Sequence, residues 1–110
     1  MFYISNAFSL NMVSANCQIR AINLSMEQAA EYCRINQPIS YSGHADTANI
    51  ASNLLGYPIA ENRGTLALTH GDEVLVTQYS GPRLPVGATE LPEGAAFRFV
   101  RCVVEWLDYI

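Results

Sequence analysis

The sequence predicts an α+β (mixed α/β) fold, a single mixed β-sheet of about five strands flanked by two helices, in one domain spanning residues 1–110. Three observations carry this expectation. The chain has 110 residues, 50% of them apolar, which is the length of one domain around one core. Strand-like segments at both ends enclose two segments with helical signals. The last stretch is apolar on both faces, as a strand inside a sheet must be.

In chain order, "MFYISN" (1–6) reads as a short apolar strand, and "AFSLNMVSAN" (7–16) as a Ser/Asn-rich connection. "CQIRAIN" (17–23) alternates well enough for a second strand. Ser25 opens "SMEQAAEYCRIN", in which the Ser25 hydroxyl and the Gln28 side chain satisfy each other's free backbone amides; this capping box starts the first helix. Pro38 ends that segment and "ISYS" (39–42) is a short strand. Over 45–55 the positions Ala48, Ile50, Ala51, Leu54 and Leu55 follow helical spacing, and Gly56 is placed as a stop. "TLALT" (65–69) and "EVLVTQYS" (73–80) flank "HGD", whose glycine suits the positive φ of a tight turn, so an antiparallel hairpin is expected. "GPRLPVGATELPEGA" (81–95) is too rich in Pro and Gly for a regular element, and its echo "LPVGA"/"LPEGA" is too short for a repeat; it is a long loop. "AFRFVRCVVEWLDY" (96–109) has strand propensity throughout and, with apolar residues on both faces near Val100 to Val104, belongs inside the sheet.

Composition excludes several classes. No run approaches the ~20 apolar positions of a membrane-spanning helix, and the start has no basic region typical of a signal peptide, so a soluble, cytoplasmic protein without a membrane partner is expected. Cys17, Cys33 and Cys102 are odd in number and widely separated, which implies neither a disulfide framework nor a zinc site; buried thiols and no metal or cofactor are expected. The net charge of −4 argues against long nucleic acid, whose binding needs a dense basic surface. A small anion is compatible, because all six basic residues are arginines, whose planar fork matches phosphate oxygens in pairs. Composition bias accounts for the arginines equally well.

The stretch "SYSGHADTANIASNLLG" (40–56) puts His44 where a strand gives way to a helix. A half-exposed loop histidine is the bland reading of that position. The alternative is an anion site: the free N–H groups of the helix point toward whatever sits beside His44, with Asp46 or Thr47 as the expected cap, and Gly43 lets a phosphate approach the backbone. A histidine beside a phosphate donates or accepts a proton near neutral pH.

"YISNAFSLNMV", "SGHADTANIASNLLG", "ENRGTLAL" and "VTQYSGPRLPVG", in that order over most of the chain, resemble the small viral and prophage ring nucleases, anti-CRISPR proteins that degrade the type III CRISPR messenger cyclic tetra-adenylate. The resemblance implies a catalytic role for His44 and places the family's ligand-contacting N-terminal loop on Asn6, Ser9 and Asn11. It matches Thr47 to a helix-opening hydroxyl, and the arginines of "NR" and "RL" to Arg63 and Arg83. It departs at Val86, where family members commonly carry a glutamate that assists catalysis; either the nearby Glu90 substitutes or the step runs on His44 alone.

The chemistry this implies needs no metal. A ribose 2′-hydroxyl in line with its own 3′-phosphate displaces the 5′-oxygen, while His44 protonates the leaving group and Arg83 and the helix amides stabilise the phosphorane. A ring of four adenylates has two-fold symmetry, and so does the commonest homodimer. The expectation is a homodimer that binds one cyclic tetra-adenylate across its axis and cuts it to linear di-adenylates, the 81–95 loop being placed to close over it. A protein that sequesters the ring without cutting it is the competing class, favoured by Val86. A structural or transcriptional partner with no nucleotide ligand is the third.

Overall fold

The computed structural model describes residues 1–107 of the chain. It is an α+β domain with one five-stranded mixed sheet and two helices. The strands are β1 (Phe2–Ser5), β2 (Cys17–Leu24), β3 (Ile39–Ser40), β4 (Glu73–Ser80) and β5 (Ala96–Trp106), in the order β2-β5-β4-β1-β3. The helices are α1 (Met26–Asn36) and α2 (Ala45–Leu55). Asp108 and Tyr109, which end the expected last strand, lie outside the described residues.

Local chemistry sets the helix boundaries. Ser25 and Gln28 form the expected box: Ser25 Oγ accepts from the Gln28 amide at 3.1 Å and Gln28 Oε1 from the Ser25 amide at 2.9 Å. The helix ends at Gln37, held at φ 46°, ahead of Pro38. α2 ends at Gly56, φ 62°, where only glycine turns without strain.

Topology is decided by non-local pairing. β1 lies between β3 and β4 and is parallel to both, whereas β5 is antiparallel to β4 on one side and β2 on the other. β5 is therefore interior, as its two apolar faces require. The expected hairpin of 65–69 with 73–80 does not form. The turn does form, with Gly71 at φ 85° and Asp72 N–H donating to Thr69 O at 3.0 Å, but both edges of β4 are taken by β1 and β5. With no edge free, residues 65–69 cross the sheet face instead, and Leu68 N–H donates to Met12 O at 2.7 Å.

That displacement produces a two-sided core. On one face α1 and α2 pack Ala29, Cys33, Ala48, Ala51 and Leu55 onto Ile4, Leu75 and Phe99. On the other, Leu66 and Leu68 cover Val74, Val76, Val100, Cys102 and Val104. Both helices thus flank the same face, and chain without regular structure seals the second. A 3-10 turn at Leu10–Met12, which the Ser/Asn-rich connection did not announce, helps to cover it. The thiols are all free: Cys33 and Cys102 are buried, and burial pushes Cys33 up to about 11, while Cys17 is half-buried rather than buried as expected. No helix of the described residues is long and apolar enough to cross a membrane.

At the end of the sheet where β4 begins, Arg101 donates to Glu73 at 2.7 and 2.9 Å, and Tyr32 Oη donates to the same carboxylate at 3.2 Å. The Arg101 guanidinium holds the Glu73 carboxyl below its ordinary value against the opposing effect of burial, and burial together with Glu73 raises the Tyr32 phenol. A depressed carboxylate pKa stabilises the fold above its unfolded value and loses that contribution as pH falls through its folded value. Glu73→Gln is expected to cost about 1 kcal/mol at neutral pH, the modest figure reflecting a guanidinium that is 36% exposed. Urea unfolding from about pH 7 to about pH 3 should show a shallower acid loss in the variant, and equal slopes would remove Glu73 from the account.

Candidate functional site: a cleft at the carboxyl ends of the parallel strands

Three parallel strands, β3, β1 and β4, release their chains on the same side of the sheet, the usual place for a ligand crevice in sheets with parallel strands. β1 leads into Asn6, β3 leads through Gly43 to His44, and β4 leads into Gly81 and Arg83. A cleft of about 510 Å³ opens between these ends, within the range of small-ligand sites.

One wall is polar. Asn6, His44, Asp46 and Thr47 line it, and Asn6 Oδ1 accepts from the Gly43 amide at 3.0 Å, tying the β1 end to the turn before α2. His44 is itself the N-cap residue, with extended backbone (φ −134°, ψ 115°) and no side-chain cap hydrogen bond. The expected cap by Asp46 or Thr47 is therefore absent. Thr47 is buried, and Asp46 turns its carboxylate to the 81–95 loop, accepting from the Gly87 amide at 3.0 Å. The long-range bond has claimed the oxygen that local chemistry offered to the helix end. The opening of α2 is left without a side-chain cap beside an imidazole that makes no hydrogen bond to a described residue.

The opposite wall comes from β4 and the loop: Tyr79, Pro82, Arg83, Leu84 and Val86. Arg83 is exposed and makes no ion pair among the described residues, unlike Arg34, Arg63 and Arg101. Val86 is fully exposed, at 101%. Tyr79 Oη donates to Pro82 O at 2.6 Å, so the strand's last aromatic props the start of the loop.

Of the residues singled out by sequence, the cleft gathers Asn6, His44, Asp46, Thr47 and Arg83. Gly43 and Arg63 adjoin it: a Cβ at Gly43 would stand 4.0 Å from both Asn6 Oδ1 and Arg63 Cγ, while the Arg63 guanidinium donates to Glu61 at 3.2 Å. Ser9 and Asn11 do not line it. Ser9 Oγ caps the 3-10 turn, accepting from the Asn11 amide at 3.3 Å, a hydrogen bond within the loop itself. Glu90 borders a shallower hollow of about 340 Å³ on the same loop, outside the cleft lining. Sequence reasoning missed Tyr79, Pro82 and Leu84, whose one signal was their adjacency to Arg83 in "YSGPRLP". The second histidine, His70, lies at the opposite end of the sheet, its Nδ1 accepting from the Trp106 amide at 3.0 Å. Among the described residues no three His, Cys, Asp or Glu side chains gather as a metal-holding group.

Fold and cleft together define a class: a small helix-backed mixed sheet with an arginine- and histidine-bearing cleft at the carboxyl ends of its parallel strands. The chain belongs to the STIV B116-like family, whose sequence model matches residues 2–96. Among solved structures it is similar to B116 of Sulfolobus turreted icosahedral virus (STIV), with 25% identity over 93% of this chain and 97% of that one and a TM-score of 0.79. No curated protein matches it.

The loop stem yields a direct check. Gly81 sits at φ 147°, and a Cβ there would lie 2.7 Å from Ala95 Cβ and 2.8 Å from Ala95 Cα. Gly81→Ala is expected to cost about 1 to 3 kcal/mol in thermal unfolding, because both the backbone angle and the contact resist it. Gly43→Ala, which meets nothing closer than 4.0 Å, should stay within about 0.5 kcal/mol. The reverse order would contradict this picture of the stem.

Proposed function

We propose that this protein is a metal-independent ring nuclease that binds cyclic tetra-adenylate and cleaves it to linear di-adenylates, antagonising type III CRISPR immunity. The observation that carries the proposal is the pairing, across one cleft, of His44 and Arg83, both without a described partner, at the uncapped opening of α2. An arginine without an ion pair and the uncapped amides of a helix opening, lining one cleft, are both groups that suit an anion.

In this reading the ribose 2′-oxygen attacks the phosphorus of its own 3′-phosphate, its hydroxyl proton passing to solvent water as the new bond forms. The bond from phosphorus to the 5′-oxygen breaks, and a 2′,3′-cyclic phosphate and a free 5′-hydroxyl result. His44, protonated, gives its proton to the departing 5′-oxygen, a contribution of about 10² to 10⁴-fold. Arg83 and the first amides of α2 meet the charge that develops on the phosphorane, and Asn6 holds the Gly43 turn that presents them. Glu90, outside the cleft, is given no proton to move.

A ring of four nucleotides is larger than a cleft of about 510 Å³ encloses, so the reading includes a homodimer in which two clefts share one ring about a two-fold axis. A sequestering protein is the second reading, and Val86 favours it: a fully exposed valine stands where the resemblance places a proton-transferring glutamate.

Chromatography of cyclic tetra-adenylate incubated with the protein in excess chelator separates the readings. Di-adenylates are expected, and tight binding without products would select sequestration. His44→Ala should lose most cleavage while retaining affinity within about tenfold, since the imidazole acts on the barrier; full turnover in that variant overturns the assignment. Arg83→Ala should weaken binding by roughly 3 to 6 kcal/mol, the sum of two charged hydrogen bonds in a shared site, with titration giving one ring per two chains. One ring per chain, or unchanged affinity, would sink the shared-site arrangement.

A further inference from the structure

We propose that Asp46 and Asn53 are positioning residues, a two-point rail on α2 that sets the 81–95 loop and thereby Arg83 over the cleft, with Asp46 acting on the loop backbone and not on the ligand. The two side chains are seven positions apart, two turns of helix, and so share one face of α2. Each holds the loop main chain: Asp46 Oδ1 accepts from Gly87 N–H at 3.0 Å, and Asn53 Nδ2 donates to Thr89 O at 2.9 Å. The other hydrogen bonds of the loop stay within it or its own stem, from Ala88 to Pro85, from Ala95 to Pro92 and from Tyr79 to Pro82.

Apolar burial does little of this holding. Val86 is 101% exposed and Leu91 36%, and none of residues 81–95 is buried. A segment with so little buried surface opens at low cost unless polar contacts fix it. The rail also explains a carboxylate in the wall of a cleft with an arginine. A free Asp46 charge would repel a phosphate, but here it is directed to the Gly87 amide and lies in the first turn of α2, where a negative charge suits the helix dipole. The cleft residues of the loop, Gly81, Pro82, Arg83, Leu84 and Val86, all lie between the stem and the Gly87 anchor, so that bond helps to fix where they stand.

The effect on ligand rests on the ring-nuclease reading, whereas the effect on the loop does not, and the test separates them. Hydrogen exchange on the ligand-free protein is followed at residues 86–89 for the wild type, Asp46→Ala, Asp46→Asn and Asn53→Ala. Asp46→Ala and Asn53→Ala are expected to speed exchange there by about tenfold or more, with the sheet amides unchanged. Asp46→Asn, which keeps an acceptor oxygen, should stay within about threefold of wild type. Unchanged exchange in Asp46→Ala overturns the rail, whatever the ligand, and so does Asp46→Asn behaving as Asp46→Ala. With cyclic tetra-adenylate as probe, Asp46→Ala should weaken binding about tenfold in the wild-type background and have little effect in an Arg83→Ala background. Equal losses in both backgrounds would mean that Asp46 acts independently of Arg83 and would overturn the positioning role. If the wild type neither binds nor cleaves the ring, the functional reading fails while the exchange measurements still decide the rail.

Discussion

The parallel insertion of β1 between β3 and β4 is the constraint from which the rest of the molecule follows. Four residues, Phe2–Ser5, satisfy two neighbours at once and force both to run in the same direction. Parallel neighbours need crossover connections, and the chain supplies β2 with α1 for one and α2 for the other. All three strands then release their chains on one side, which is why Asn6, His44 and Arg83, far apart in sequence, border one cleft. The same pairing occupies the edge of β4 that a hairpin would have used. It thereby sends Leu66 and Leu68 across the sheet to close the second core.

What the sequence made legible was what neighbouring residues decide. The Ser25–Gln28 box, the Gly56 stop and the two-faced apolar run of β5 are each settled within a few positions, and each was read as it stands. Misreadings arose where a distant partner outbid a local one. Gly71 makes the turn it promised, but a turn does not choose the edge of β4. Asp46 has the chemistry of a cap, but Gly87, 41 residues away, takes its oxygen. At the site, His44 could be suspected from its junction and Arg83 only by resemblance, because nothing in "GPRLP" reveals that the loop returns to face α2. Ser9 shows the converse: its hydroxyl serves the nearest amide, at Asn11.

The arginines show how an acidic chain concentrates positive charge. Arg34, Arg63 and Arg101 are neutralised by Glu31, Glu61 and Glu73, and Arg98 is engaged by Asn23. Arg20, exposed on β2, and Arg83, at the cleft, are left without an ion pair or side-chain hydrogen bond among the described residues.

The stem of the 81–95 loop carries a consequence for how such a protein changes over evolutionary time. Ser80 and Ala96 are paired across β4 and β5, and Gly81 packs so closely on Ala95 that the excursion leaves and rejoins the sheet at one point. Closure entropy rises slowly with length, about 0.6 kcal/mol per doubling, so residues can be gained or lost beyond the stem without disturbing the strands. Half of the cleft wall is written on a replaceable insert and half on the fixed framework of β1 and α2. A lineage can thus exchange the insert and reshape one wall of the cleft while inheriting the other wall and the sheet unchanged.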